Sequence, residues 1–289
     1  MKKLLGSTVI LSVFAALGPA VAADLRVPMR QPVATQQQAS SNWSGGQVGG
    51  NSGGSVSNNA FVDPGSYLCL PGSVIGSTCY ETPFAFSDRD VSFVGGGFIG
   101  YRWQFGNYVY GVEGDALWQR ATTSASLSYL CPPAPGGACG PGGANRSDDF
   151  YGSITQGWEG SIRGRYGYLM TPSTLIYGTA GVAFLQVKGS FSYFGSQPSG
   201  GFTNTASASG DWDDVLVGGT VGAGVETQVS TGFKVRGEYR FSHFGDYSRN
   251  IPLTSSCPGG CGGPPSSSVR IDVSNVYSHK FLLGIGWDW

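Results

Sequence analysis

The stretch 233–244 alternates about as strictly as a chain can. Phe233, Val235, Gly237, Tyr239 and Phe241 share one parity, and Lys234, Arg236, Glu238, Arg240 and Ser242 share the other. Successive side chains of a β-strand point to opposite faces, so this segment reads as a strand with one apolar and one ionic face. Five further segments pass the same test. In 108–118, Tyr108, Tyr110, Val112, Gly114, Ala116 and Trp118 oppose Gly111, Glu113 and Asp115, with Val109 and Leu117 at the ends of the charged side. In 91–104, Val91, Phe93, Gly95, Gly97, Ile99, Tyr101 and Trp103 face out, against Arg102 and Gln104.

The remaining three segments extend the series. In 153–169, Ile154, Gln156, Trp158, Gly160, Ile162, Gly164, Tyr166 and Tyr168 oppose Glu159, Ser161, Arg163 and Arg165. In 215–228, Val215, Val217, Val221, Ala223 and Val225 oppose Thr220 and Glu226. The last strand sets Tyr277, Phe281, Leu283, Ile285, Trp287 and Trp289 outward, against Lys280, Leu282, Gly284, Gly286 and Asp288. Two weaker segments sit where strands are needed: 174–188, apolar on both parities, and the glycine-rich 43–54. Together they make eight.

Connections between these segments alternate in length. Those near 104–107, 171–173 and 228–232 are tight, whereas 56–89, 119–152, 190–213 and 246–271 are long and rich in Gly, Ser and Pro. Alternating short and long connections, with an apolar face on every strand, is the pattern of a transmembrane β-barrel. Charged residues make up only 12% of the chain, about half the share usual in a soluble domain. The aromatic rings sort by height as well. Tyr101, Trp103, Tyr108, Tyr110, Tyr166, Tyr168, Trp287 and Trp289 lie at the short-turn ends, with Trp118 and Trp158 toward the long connections, as two interfacial girdles would place them. The expected fold is therefore all-β: an eight-stranded antiparallel up-and-down transmembrane β-barrel, with short periplasmic turns and long extracellular loops.

The chain's opening fits export. Lys2 and Lys3 precede an apolar run, Leu4 to Leu17, and Ala20-Val21-Ala22 supplies an A-x-A cleavage site. Residues 1–22 read as a signal peptide, with cleavage after Ala23 as the alternative, and the run is too short for a spanning helix. Residues 23–42, rich in Pro and Gln, read as a flexible periplasmic lead-in, and 43–289 as the barrel. Six cysteines fall in three close pairs: Cys69 with Cys79, Cys131 with Cys139, and Cys257 with Cys261. In an exported chain these are candidate disulfides, each stapling one long connection. A zinc site is disfavoured, because His is nearly absent and the other thiols lie far off in sequence. The net charge of −1 gives no electrostatic case for nucleic acid.

The best-patterned stretches carry a resemblance. Asn42-Trp43-Ser44-Gly45, Gly96-Gly97-Phe98-Ile99-Gly100-Tyr101-Arg102-Trp103-Gln104-Phe105-Gly106 and Gly111-Val112-Glu113-Gly114-Asp115 belong to it. So do Ile162-Arg163-Gly164-Arg165-Tyr166-Gly167-Tyr168, Leu175-Ile176-Tyr177-Gly178-Thr179-Ala180-Gly181, Gly222-Ala223-Gly224-Val225-Glu226 and Lys234-Val235-Arg236-Gly237-Glu238-Tyr239. In this ordered succession the chain resembles the small alphaproteobacterial outer-membrane surface antigens, the outer membrane immunogenic protein group, with its OmpA-like eight-stranded barrel. The resemblance implies the cell outer membrane of a Gram-negative bacterium. It departs from the group in ending on Trp289 where Phe is usual, in its glycine-rich first strand and in its cysteine pairs.

Chemistry is expected inside the barrel. Arg102, Arg163, Arg165, Arg236, Arg240 and Lys280 nearly cancel Glu113, Asp115, Glu159, Glu226 and Glu238 in charge. An eight-stranded barrel is only wide enough for side chains to fill it, so these groups read as a plug of ion pairs, with a small porin as the alternative. The expected role is structural and surface-displaying, with no cofactor. His243 and His279, the only histidines, have outward parity; Ser242 and Ser278 point the other way, which speaks against a lipid-modifying dyad. Gly95-Gly96-Gly97-Phe98-Ile99-Gly100 fits a dinucleotide fingerprint but lacks the helix that fingerprint requires. Expected partners are outer-membrane lipid and lipopolysaccharide, and the barrel-assembly machinery reading Phe281, Leu283, Ile285, Trp287 and Trp289. Peptidoglycan or host ligands could also meet the lead-in or the loops.

Overall fold

In the computed structural model, residues 42–62, 67–68, 80–81, 85–131, 146–199, 201–256, 258 and 268–289 are described. The proposed signal peptide lies outside them, as do the side chains of all six cysteines and nearly all of the lead-in. Eight long strands run antiparallel through these residues. They are β1 (Gly45–Val62), β2 (Ala85–Phe105), β3 (Tyr108–Gln119, resuming after Arg120 as Ala121–Cys131), β4 (Arg146–Thr171), β5 (Thr174–Ser199), β6 (Phe202–Ser230), β7 (Phe233–Ser256) and β8 (Ser268–Asp288). Each pairs with its sequence neighbours, and β1 pairs with β8 from Gln47↔Asp288 upward, so up to Val94↔Gln119 the sheet closes on itself without an edge. Two of the short turns hold glycines at positive φ, Gly106 at 59° and Gly232 at 79°, where a Cβ would be strained.

The outer face is apolar over a band. Val91, Phe93, Ile99, Trp118, Ile162, Val217, Val221, Phe281, Leu283 and Ile285 are all well exposed there. At its lower rim Tyr101, Trp103, Tyr108, Tyr166, Tyr168 and Trp287 form a girdle, with Tyr108 ring centroids 6.0 Å from Tyr166 and 5.3 Å from Tyr168. At the upper rim the outward residues turn polar: Arg120 follows Trp118, Asp213 precedes Val215, and Lys188 stands above Phe184.

The strands do not stop there. β6 alone has 29 residues, whereas crossing a bilayer takes about 9–11. Most of the described residues in what composition marks as long loops are paired strand. Segment 190–213 is a hairpin paired out to Ser199↔Phe202, and 121–131 pairs with 146–156. At 190–213, and at the described flanks of the other three segments, strand stands where a loop is expected, because Ser, Thr, Gly and Ala on both parities look like loop composition while pairing as strand.

Where the outer face changes character, the backbone is irregular. β3 breaks at Arg120, β4 shifts register between Gln156 and Glu159, and β7 between His243 and Gly245. On β8 Asn275 sits at φ 55°. The β6–β7 ladder halts at Gly219↔His243 and resumes at Ala208↔Leu253. The shift on β4 corrects the reading of 153–169. Two residues there oppose only Gln186, a β-bulge, so the parity flips and Ile154 and Gln156 are fully buried inside instead of facing out.

Candidate functional site: the barrel interior

Alternation on all eight strands delivers polar side chains to one axial column. Low in that column, Arg102 reaches Glu226 at 2.7 Å and Asp288 at 2.6 Å. Asp288 also pairs with Lys234, and Glu226 with Arg165. Gln47 of β1 donates to Glu226 at 2.9 Å. Above them Glu113 accepts from Arg163 and Arg236, each at 2.6 Å, and from Arg165 at 3.4 Å. Arg163 continues to Asp115 at 2.7 Å and Glu238 at 2.6 Å, and Arg240 closes on the same two carboxylates at 2.9 and 3.0 Å. Lys280 and Glu159 form a separate pair above, where Ser242 donates to Glu159 at 2.9 Å. Every residue of the expected charge network therefore lies inside and in an ion pair. Among the described residues Lys234 and Asp288 join them; their parity marks both as inward, but nothing in the alternation assigns them to the network.

Aromatic rings fill the spaces between charges. The Arg165 guanidinium lies 3.5 Å over Tyr177, whose hydroxyl donates to Glu238 at 3.0 Å. Arg236 stacks 3.5 Å over Phe98. Phe98 can lie flat against β1 because Gly49 faces it: a Cβ there would stand 2.4 Å from the ring and 2.1 Å from the Ile285 carbonyl oxygen.

Both ends of the column are covered. At the short-turn end Trp43 is fully buried against Val109, Leu169, Leu175 and Tyr177. Its indole Nε1 donates to the Pro172 carbonyl at 3.1 Å and its amide to Gln104 Oε1 at 2.8 Å. Arg102 and Lys234 stand over its ring at 5.3 and 4.2 Å, as cation–π partners. Sequence reasoning misses this cap, although a lone Trp among Asn, Ser and Gly just before a strand is a signal that points to it. At the other end the interior turns apolar. Phe150, Ile154, Leu185, Val187, Phe191, Phe244, Ile251, Ile271, Val273 and Val276 form one buried cluster above the Lys280–Glu159 pair.

On the outer face the two histidines stand apart from the serines next to them in sequence. Phe241 and Tyr277 separate the two histidines, and His279 Nδ1 shares a 2.7 Å hydrogen bond with the Tyr239 hydroxyl. Ser242 and Ser278 point inward, where they bond Glu159 and Lys280. No group of metal-ligating residues occurs among the described residues.

The chain is similar to known proteins. Residues 33–287 match the outer membrane protein beta-barrel domain. The chain is 36% identical over 170 residues to a 22 kDa outer membrane protein of Rhizobium leguminosarum bv. viciae, covering 58% of this chain and 61% of that protein. It therefore spans less than two thirds of that relative. Against the 31 kDa outer-membrane immunogenic protein of Brucella melitensis it is 29% identical over 200 residues, 64% of this chain and 72% of the relative. Among solved structures it is similar to Neisserial surface protein A at 13% identity and a TM-score of 0.34, covering 85% of this chain and 98% of that one.

Proposed function

Given that the chain belongs to the outer membrane protein β-barrel family, and so resides in the outer membrane, we propose that it is a closed, non-conducting envelope barrel. Its work is structural: it anchors and displays the extension that the strands carry beyond the bilayer. The observation that carries this reading is the filled column, ionic through the lipid band, apolar above it and capped by Trp43 below. An ion crossing that column would have to displace paired charges whose separation costs several kcal/mol. Brucella relatives named as immunogenic proteins support a surface role for the extension.

The same reading assigns partners. The exposed band meets lipid and lipopolysaccharide, and Phe281, Leu283, Ile285 and Trp287 on β8 offer the apolar face for the assembly machinery. On this reading the protein is no enzyme: Ser242 and Ser278, the hydroxyls next to the two histidines in sequence, point to the opposite face. Planar-bilayer recording of the refolded protein tests the central claim. The expected result is no stable open-channel conductance; large, long-lived openings would overturn it in favour of a small porin.

A further inference from the structure

The ionic column has more donors than acceptors, and the surplus is local. Among the described residues seven basic groups face six acidic ones in it: Arg102, Arg163, Arg165, Lys234, Arg236, Arg240 and Lys280 against Glu113, Asp115, Glu159, Glu226, Glu238 and Asp288. An unmatched charge in a low-dielectric interior is strongly disfavoured. Unpartnered donors accompany it, and two of them are neighbours: Arg236 Nη2 and Asn51 Nδ2. Both side chains are more than nine-tenths buried, at 4% and 5% exposure.

Their pairing leaves both donors over. Arg236 Nε donates to Asn51 Oδ1 at 3.0 Å, and Nη1 is taken by Glu113 at 2.6 Å. Nη2 lies on the same guanidinium edge as Nε. Arg236 thus presents two N–H groups and Asn51 an NH₂ at a spot with a single acceptor. Turning the amide over exchanges its atoms without changing that count, because the group always brings one oxygen and one nitrogen. Donors facing donors call for an acceptor between them, and the column's net charge calls for a negative one.

We infer that Asn51 and Arg236 form a buried site for a small monovalent anion of chloride size. The ligand neutralises the column and accepts from Nη2 and Nδ2 together. Held between two strands, β1 and β7, it belongs to the folded state alone and so stabilises that state by mass action.

The test uses the refolded full chain in detergent at constant ionic strength, with sodium gluconate exchanged stepwise for sodium chloride. The thermal unfolding midpoint should rise saturably, by about 2–4 °C for a stabilisation of modest size. Asn51→Asp places a carboxylate beside Arg236 and should abolish the chloride dependence. No rise in the parent, or an equal rise in Asn51→Asp, overturns the site. Should that variant fail to fold, crystals of the parent grown in bromide decide. An anomalous peak within hydrogen-bond reach of Asn51 Nδ2 and Arg236 Nη2 supports the site; a water alone there, or bromide only elsewhere, overturns it.

Discussion

The lower and upper halves of this barrel are built from the same strands and turned inside out. Across the lipid band the wall is apolar outside and ionic inside, with Leu283 and Ile285 outward against Lys280 and Arg236 inward. Above the band the outward positions carry Asp211, Asp213 and Lys188, while Phe150, Ile154, Leu185 and Val187 pack inside. The reversal shows that solvent decides which face is apolar, and that alternation only guarantees there will be two faces. In lipid the interior is the one place left for polar groups; in water it is the one place that excludes water. A strand passing through both media only has to change the residue types on each parity, as β5 does in unbroken register from Thr174↔Thr227 to Ser199↔Phe202, whereas the one-residue bulge on β4 shifts the parity itself.

Three changes put this contrast under strain, the harshest first. Deleting Gly157 removes the extra residue of the β4 bulge, so Ile154 and Gln156 turn outward while 159–169 keep their faces. The fast-migrating folded form in heat-modifiable gel electrophoresis should disappear. Next, Lys280→Met strands the buried Glu159 carboxylate, and unfolding in denaturant should show a loss of about 3–5 kcal/mol. Adding Glu159→Leu should restore most of it, because an apolar pair tolerates burial better than an orphaned ion. If the double variant is no more stable than the single one, the ion pair itself is irreplaceable and the column differs from the upper core in kind. Least severe is Ile154→Val in the apolar half, where one missing methyl should cost about 0.5–1.5 kcal/mol with no partner able to rescue it.

What the sequence reveals follows the contrast too. On β7 the charges alternate with Phe233, Val235, Gly237, Tyr239 and Phe241, so the phase of Lys234, Arg236, Glu238 and Arg240 is plain from the alternation alone. Strand count and closure follow from the spacing of such segments. In the upper half the faces differ by small steps: Ala206 and Ala208 are buried beside Thr and Ser, which tips a paired strand toward the look of a loop. Bulges are harder still, since Gly157 and Trp158 carry no mark that distinguishes them from any other pair. Trp43 is visible as a residue but not as a lid, because Pro172 and Gln104, which hold it, lie 129 and 61 positions away. The unmatched donor at Asn51 is more remote still, 185 positions from Arg236 along the chain.

The inward charges have a second consequence, felt before there is any barrel. An outer-membrane chain first crosses the inner membrane unfolded, where a run of about 20 apolar residues would be retained as a helix. In β7, Lys234, Arg236, Glu238 and Arg240 interrupt the apolar sequence at every second place. Side chains that bind the finished wall together thereby serve as its travel papers, letting the chain pass the first membrane and settle in the next.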